Sequence, residues 1–346
     1  GWYDYLAWSN PPLSEQGIVF GTATLKAGDD VLSDPEADFT ELDLDQAATL
    51  LVHWGGPTAG VSAPGLDRVG GDPNAGVYDI VEVLDAHRLR IHPAARQDGA
   101  PAYSIGRRSY SKMKVSNTEF YFLDTRSHRT VYDVMEPNKP GVSMLGIQQK
   151  EWLMEAMRES DAEFFFVLSS VNLTVPHVGG TGSVTTPGAT PAPARDDAWT
   201  GFMEEREELI NFWDDLGKPV FVLTGDLHNS FAVSITDNVW EFASGPHNSR
   251  NHAASAEAGR PPNGRFMSQG RPVDMRWSTY MLDETPVALR SQPIYTVVQV
   301  NNVLTNRKVD GSTRSVAYPR PQVVFQYYDG FTGDLLYAES ILGGEG

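Results

Sequence analysis

The sequence predicts an α/β fold that carries an additional antiparallel β module. From about Tyr110 to Phe242, buried strand patterns alternate with helical patterns, which is typical of βαβ units. From about Gly17 to Gly106, short β-branched runs are separated by Gly, Asp, Asn and Pro clusters, which indicates antiparallel strands. Hydrophobic residues make up 40% of the 346 residues, so the chain can bury a sizeable core.

The N-terminal third divides into a short aromatic segment and the β module. Gly1–Leu13 is rich in aromatic residues and ends at Pro11-Pro12, so we expect it to be the end of a preceding part, closed by a turn. The module has four predicted strands, which are Gly17–Leu25, Ala48–Trp54, Val77–Val83 and Arg88–His92. Trp54, Tyr78 and Tyr103 are candidate contact aromatics, although buried aromatics are commoner in small β modules.

The remainder of the chain alternates strands and helices. The predicted strands are Glu119–Leu123, Glu163–Ser169, Pro219–Thr224, Phe231–Ile235 and Val239–Phe242, and the predicted helices are Gln148–Arg158 and Phe202–Trp213. Two βαβ units follow, so we expect parallel strands with right-handed crossovers. The composition of Gly179–Pro193 predicts a mobile loop, and a long hairpin from Val323 to Ile341 closes the chain.

Charge and composition exclude several classes of function. The net charge of −18 repels nucleic acid and anionic membranes, so a phosphate-bearing substrate needs a local cation such as a metal ion. The absence of cysteine excludes disulfides, thiolate zinc sites and a cysteine nucleophile. It does not distinguish an oxidising exterior from a reducing interior as the compartment of the protein. No apolar run approaches the roughly 18 residues that a membrane span requires.

The sharpest local signal is the segment Gly225-Asp226-Leu227-His228, which directly follows a buried strand. Open α/β sheets place their sites at the carboxyl ends of strands. In an extended backbone, residues two apart point to the same side, so Asp226 and His228 can converge on one metal ion. The alternative is a simple strand-ending turn in which Asp226 caps the loop.

Six short segments between Tyr121 and Ser249 occur in a characteristic order. They are Leu123-Asp124-Thr125-Arg126 with Arg129, Met144-Leu145-Gly146 with Gln149 and Trp152-Leu153, Ser169-Ser170-Val171, Asp197-Ala198-Trp199-Thr200-Gly201-Phe202 with Arg206, Gly225-Asp226-Leu227-His228, and Glu241-Phe242 with Ser244-Gly245. In this order and spacing the chain resembles the PhoD-like (alkaline phosphatase D) metallophosphoesterase family. The resemblance implies a metallophosphoesterase αββα sandwich, of which this chain would form the C-terminal half, with the antiparallel β module inserted.

The resemblance also implies a function. In this family the Gly-Asp-x-His segment supplies ligands to a dinuclear centre, so Asp226 and His228 are the metal ligands that we predict. The family typically uses calcium with iron or another transition metal. A ligand set that mixes oxygen and nitrogen atoms does not distinguish between these ions. The implied activity is hydrolysis of a small-molecule, lipid or nucleotide phosphate ester, with monoester and diester not distinguished.

Four further residues are candidate catalytic groups. Arg126 follows a buried strand and can bind a phosphate, although an ion pair with neighbouring Asp124 is the alternative. His128 is a candidate acid, for which a surface position is the commoner role. His177 follows a strand end where many metallophosphoesterases place a metal-binding histidine. Trp199 is a candidate cleft residue, whereas Phe202 beside it is expected in the core.

The loop that follows the sheet carries two histidines, His247 and His252. This loop resembles the family's segment near the active site. We expect His247 to contact the metal-binding residues rather than the metal ion itself.

A complete family member carries further ligand segments upstream, and this sequence does not contain them, so we expect the chain to be a fragment. The predicted parts are residues 1–15, the end of a missing N-terminal half; residues 16–106, the inserted β-rich module; and residues 107–346, the C-terminal part of the phosphatase domain. The exposed sheet edge of such a half-domain predicts association. Two hypotheses remain: a secreted (extracellular or periplasmic) enzyme, complete only with its upstream half, and a noncatalytic binding protein.

Overall fold

The structure, a computed structural model, describes residues 19–44, 47–52, 73–130, 137–177, 197–307 and 309–344. These residues are rich in β-sheet, with 17 strands and two α-helices. They fall into two compact units, one within Gly1–Tyr110, Arg126–Val131 and Ser143–Lys150, and the other within Ser111–Thr125, Tyr132–Val142 and Glu151–Gly346. Trp54, the loop at 179–193 and the segment 1–15 lie outside the described residues. No described helix is both long and apolar enough to cross a membrane.

The first unit contains a six-stranded sheet in which every pairing is antiparallel. Its strands are β1 (Val19–Thr22), β2 (Val31–Ser33), β3 (Ala47–Val52), β4 (Gly76–Asp85), β5 (Arg88–His92) and β6 (Ala102–Arg107), in the order β1-β6-β3-β4-β5-β2. The four predicted strands correspond to β1, β3, β4 and β5. The sequence analysis missed β2 and β6.

The core of this sheet includes two of the candidate contact aromatics. Tyr78 and Tyr103 are both buried, so packing is their role. The Tyr103 hydroxyl donates a hydrogen bond of 2.8 Å to Asp34, and the Tyr78 hydroxyl donates one of 2.8 Å to the Asn74 carbonyl. These bonds satisfy phenolic groups that would otherwise be costly to bury.

A short segment from later in the chain belongs to the same unit. The Gln148 side chain donates a hydrogen bond of 2.6 Å to the carbonyl oxygen of Ile80 on β4. A Cβ on Gly146, whose φ is +72°, would lie 3.3 Å from both Asp79 and His128. The close approach and the left-handed backbone together favour glycine here.

The second unit is built on an eight-stranded mixed sheet. Its strands are β7 (Ser111–Val115), β8 (Thr118–Phe122), β9 (Phe164–Leu168), β10 (Val220–Thr224), β11 (Phe231–Ser234), β12 (Val239–Ala243), β13 (Gly264–Ser268) and β14 (Arg271–Ser278), in the order β13-β14-β11-β12-β10-β9-β8-β7. The described helices are α1 (Gly146–Glu159), which belongs to this unit from Glu151 onward, and α2 (Met203–Asp215). β8 pairs with β9, and β9 with β10, in parallel. The two predicted βαβ units are thereby confirmed.

A three-stranded antiparallel sheet covers one face of this mixed sheet. It consists of β15 (Ile294–Arg307), β16 (Thr313–Asp329) and β17 (Leu335–Leu342), so the predicted closing hairpin is β16 and β17 with one further strand. Phe164 and Phe166 of β9 pack in one cluster with Phe325 of β16. On the other face, Tyr121 of β8 lies 6.1 Å from the Trp152 ring of α1. The described part of the second unit therefore shows a mixed sheet with the three-stranded sheet on one face and α1 against the other.

Candidate metal centre

Three parallel strands of the mixed sheet end at the same edge. β9, β10 and β12 run parallel, and the segments that follow them carry His177, then Asp226 and His228, then His252. The segments approach each other closely, since a Cβ on Gly225 would lie 3.3 Å from the Ser244 carbonyl oxygen. Glycine at 225 allows that approach. Chemistry-bearing side chains therefore gather where open α/β sheets place their sites.

Three of these side chains form a group of metal-ligand type. His177, Asp197 and Asp226 each offer one ligand atom, and the three atoms lie within 4.8 Å of one another. Metal–ligand bonds of about 2.0–2.2 Å separate the ligands of one ion by roughly 3–4 Å, so small side-chain movements would complete a site. One imidazole and two carboxylates suit Mn²⁺, Fe or Zn²⁺. The donor set fits a metal ion.

The predicted ligand His228 lies beside this group and contacts a further histidine. Its ring centroid is 4.6 Å from that of His252, and the His252 ring is 4.7 Å from that of His177. The His228 Nδ1 lies 3.2 Å from the Ser249 hydroxyl oxygen. Burial, and then the charges of His177 and His228, lower the pKa of His252 to about 4. His252 is therefore neutral at neutral pH, which is the form that binds metal.

The segment that leads to His177 is fixed by Glu241 of β12, which is fully buried. Its carboxylate accepts hydrogen bonds of 2.8 Å from the backbone N–H groups of Leu173 and Thr174, and one of 3.2 Å from the Thr224 hydroxyl. Burial raises the pKa of Glu241, and these hydrogen bonds oppose the rise. The carboxylate thus connects the segment that follows β9 with the end of β10.

A second buried network fixes His252. The Asn229 amide donates hydrogen bonds of 3.0 Å to the His252 carbonyl oxygen and 2.7 Å to Glu257. The Asn251 amide donates one of 2.9 Å to the Asn229 side-chain oxygen. Glu257 also pairs with Arg260 at 2.7 Å, and both side chains are buried. Burial raises the pKa of Glu257, and the Arg260 charge opposes that rise.

A cavity of about 840 Å³ opens over the three histidines. Two arginines, Arg250 and Arg290, also line it. They are held by backbone carbonyl oxygens, Arg250 by Val287 at 2.6 Å and Arg290 by Thr285 at 2.7 Å. Asp283 lines the cavity as well, so a chain with a net charge of −18 presents two arginines against one carboxylate there, which suits an anionic ligand.

Of the other predicted catalytic residues, Trp199 belongs to the second unit, whereas Arg126 and His128 belong to the first. Trp199 is buried and donates a hydrogen bond of 3.1 Å from Nε1 to Ser169, and Phe202 is buried as expected. His128 is only 1% exposed, so the surface position favoured for it is wrong; it packs 5.4 Å from the Tyr110 ring. Arg126 is exposed.

The sequence analysis did not name Asp197 or His252 as a candidate metal ligand. Asp197 appeared only within a family motif, and His252 only as part of a polar loop. His247, which was preferred to His252, is exposed and does not line the cavity. No local spacing connects Asp197 or His252 to Asp226, because the fold brings together the ends of different strands.

Comparisons with known proteins agree with the six motifs. The family model for the PhoD-like phosphatases matches residues 92–283, which is more than half of the 346 residues. A solved structure of PhoD is 17% identical over 68% of this chain and 44% of its own, with a TM-score of 0.36. The chain thus spans less than half the length of that protein. The comparison with curated proteins gives no match. The chain belongs to the PhoD-like phosphatase family.

Proposed function

We propose that the chain contributes a metal-dependent site for the hydrolysis of phosphate esters. The observation that supports it best is the group formed by His177, Asp197 and Asp226 at the ends of parallel strands. The group belongs to a chain whose family comprises phosphatases. The adjacent cavity with Arg250 and Arg290 adds a place for an anionic substrate.

Each part of the site has a physical task. His177, Asp197 and Asp226 would hold the metal ion, which supplies Lewis-acid chemistry by lowering the pKa of bound water and offsetting phosphate charge. Arg250 and Arg290 attract the phosphate group toward the cavity. Glu241 and Asn229 hold the ligand-bearing segments at fixed positions, so little ordering is left to occur on binding.

Several finer features belong to the same proposal. The second unit is the C-terminal half of a metallophosphoesterase αββα sandwich, supported by one helical layer and two packed sheets. Residues 16–106 form an inserted module, and residues 107–346 the phosphatase part. The site is completed by ligands from a longer protein, with calcium and iron or another transition metal as the ions. The compartment proposed is extracellular or periplasmic.

The test uses the purified chain with Mn²⁺, Ca²⁺, Fe or Zn²⁺ added. Inorganic phosphate binding is measured by calorimetry, and hydrolysis of p-nitrophenyl phosphate and its bis-ester by absorbance. We expect metal-dependent phosphate binding that Asp226→Ala abolishes, and hydrolysis with the same dependence where the site is complete. Asp215→Ala, on the exposed end of α2, is the matched control. Phosphate binding that needs neither metal nor Asp226 would refute the proposal.

A further inference from the structure

We propose that Arg250 and Arg290 bind a second anionic group of the substrate, so that the chain selects phosphate esters of alcohols that themselves carry a carboxylate or a further phosphate. This inference rests on the proposed function and deepens it by naming the substrate class of the same site. There the two arginines attract the substrate, and here they recognise a particular part of it.

The first argument is the position of the two guanidinium groups. Both are held by backbone carbonyl oxygens of the loop at 282–290. Arg250 donates a hydrogen bond of 2.6 Å to the Val287 carbonyl oxygen. Arg290 donates hydrogen bonds of 2.7 and 2.8 Å to the carbonyl oxygens of Thr285 and Asp283. The guanidinium groups are therefore anchored to this loop, whereas the proposed metal ligands belong to other segments.

The second argument is that no carboxylate neutralises either arginine directly. Within the described part of the chain, their only hydrogen bonds run to the loop carbonyl oxygens, and neither forms an ion pair. Asp283, which also lines the cavity, instead accepts a hydrogen bond of 3.2 Å from the backbone N–H of Ser255. By contrast, Arg271 pairs with Glu207 at 2.7 Å. In a chain with a net charge of −18, two such arginines at a cavity favour an anionic ligand.

The third argument is the set of donors that remains on each side chain. A guanidinium group carries five N–H donors in a planar fork that matches a carboxylate or a phosphate. The Val287 carbonyl oxygen engages Nη1 of Arg250, which keeps Nε and Nη2. The loop engages Nε and one hydrogen of Nη2 of Arg290, which keeps Nη1 and the other. Each side chain thus has a second edge with which to bind an anion bidentately.

The fourth argument is pre-organisation through Asn251, which is buried. Its N–H donates a hydrogen bond of 2.8 Å to the Arg290 carbonyl oxygen, and its side-chain oxygen accepts one of 2.7 Å from the Gln292 N–H. Its side-chain amide donates one of 2.9 Å to Asn229, which directly follows His228. The two arginine-bearing segments are thus connected to each other and to the segment of the metal site, so little ordering is left for binding.

The fifth argument is the size of the cavity. Its volume of about 840 Å³ lies within the range of about 300–1,000 Å³ that holds whole small molecules. A phosphate group alone would leave most of it unfilled. His177 and the two arginines line the same cavity. An ester bound by its phosphate near His177 therefore has room to extend its alcohol part toward the arginines.

The experiment measures the binding of two matched pairs of phosphate esters by calorimetry at one free Mn²⁺ concentration. 3-Phosphoglycerate has a carboxylate where glycerol 3-phosphate has a hydroxymethyl group, and fructose 1,6-bisphosphate has one phosphate more than fructose 6-phosphate. We expect the original chain to bind the doubly anionic member of at least one pair about tenfold more tightly than its partner. The pair that shows the preference distinguishes a carboxylate from a phosphate as the second group.

The variants are Arg250→Gln and Arg290→Gln, and the matched control is Arg265→Gln, an exposed arginine of β13 that does not line the cavity. Both variants should lose the preference within the pair, whereas their binding of inorganic phosphate should change far less. The control should keep the preference. Arg290→Lys, which keeps the charge without the fork, should restore it in part. If Arg290→Gln does not fold, as judged by its thermal melt, the exposed Arg250 decides through Arg250→Gln.

Equal affinities within both pairs, in a chain whose phosphate binding needs metal and Asp226, would refute this inference alone. A preference that persists in both glutamine variants would also overturn it. A preference that these variants abolish, in a chain whose phosphate binding needs neither metal nor Asp226, would refute the proposed function alone.

Discussion

At the scale of single residues, buried polar groups connect the segments that carry the site. Glu241 is 0% exposed and receives hydrogen bonds from the segment leading to His177 and from the end of β10. Its removal would leave the backbone N–H groups of Leu173 and Thr174 buried without an acceptor. Such groups cost about 1–3 kcal/mol each.

We therefore expect Glu241→Ala to lower the free energy of unfolding by about 3 kcal/mol. Urea unfolding followed by circular dichroism measures the change. Glu284→Ala, an exposed loop position, is the control and should change stability by less than about 0.5 kcal/mol. Equal midpoints for the two variants would show that Glu241 does not connect these segments.

Glu119 on β8 gives the fold a dependence on pH. Burial raises the pKa of this carboxyl, but hydrogen bonds from Ser160, Lys112 and Tyr121 outweigh burial, so the net pKa is lowered. A carboxyl with a lowered folded pKa stabilises the fold above its unfolded pKa of about 4.3 and loses that contribution as the pH falls through the folded pKa.

We expect the original chain to lose more stability than Glu119→Gln between pH 6 and pH 3, because the lowered pKa of Glu119 favours the folded state only while the carboxyl is ionised. The measurement is urea unfolding at four pH values in that window. Above pH 6 the difference between the two proteins should stay constant. Parallel curves down to pH 3 would mean that the pKa of Glu119 is not lowered.

The sequence singled out Asp226 and His228 because they follow a buried strand within a recognisable motif, and His177 because it comes after the end of another strand. The sequence analysis did not name Asp197 or His252 as ligand candidates. Both lie in loops, and no local sequence pattern predicts the path of those loops. His128 was misjudged for a related reason. Its neighbours Arg126 and Arg129 are charged, but the ring packs against Tyr110 through a contact between distant parts of the sequence.

At the scale of elements, the packing of the two sheets depends on stacked aromatic rings. Phe325 of β16 stacks on Phe242 of β12 with centroids 3.5 Å apart and planes 7° apart, and it also meets the Phe221 ring edge-on at 5.2 Å. The Tyr327 hydroxyl donates a hydrogen bond of 2.7 Å to the Phe231 carbonyl oxygen between the same sheets. These contacts secure the three-stranded sheet to the mixed sheet.

Phe325→Ala should therefore destabilise the fold by about 3–5 kcal/mol, since it leaves a large cavity between the sheets. The matched control is Phe331→Ala, a phenylalanine that is 74% exposed, which should cost less than about 0.5 kcal/mol. Chemical unfolding of both variants gives the comparison. A small loss in Phe325→Ala would mean that the sheets are not packed through this ring.

The parallel strands were predictable because their residues are apolar on both faces, as in Phe164–Leu168. β13 and β14 escaped prediction because they are polar and partly exposed, with arginine and aspartate among their residues. β7 is an edge strand with exposed Met113 and Val115 beside Lys112 and Lys114. Lysines on an edge oppose strand pairing, and association through an edge remains a prediction.

At the scale of the whole molecule, the net charge of the chain opposes the binding of an anionic substrate at the proposed site. The chain carries a net charge of −18, so its long-range field repels phosphate esters, nucleic acid and anionic membranes alike. Arg250 and Arg290 and a bound metal ion are the local features that would overcome this field. That the chain does not bind nucleic acid nonspecifically remains a prediction from the same charge.

The central claim is that Asp226 and its neighbours hold a metal ion, and Mn²⁺ titration by calorimetry tests it most directly. The original chain and the surface variant Asp215→Asn should bind Mn²⁺ with equal affinity. Asp226→Asn, which removes one carboxylate charge from the group, should weaken binding at least tenfold, or about 1.4 kcal/mol. Equal Mn²⁺ affinity in all three proteins would contradict the account.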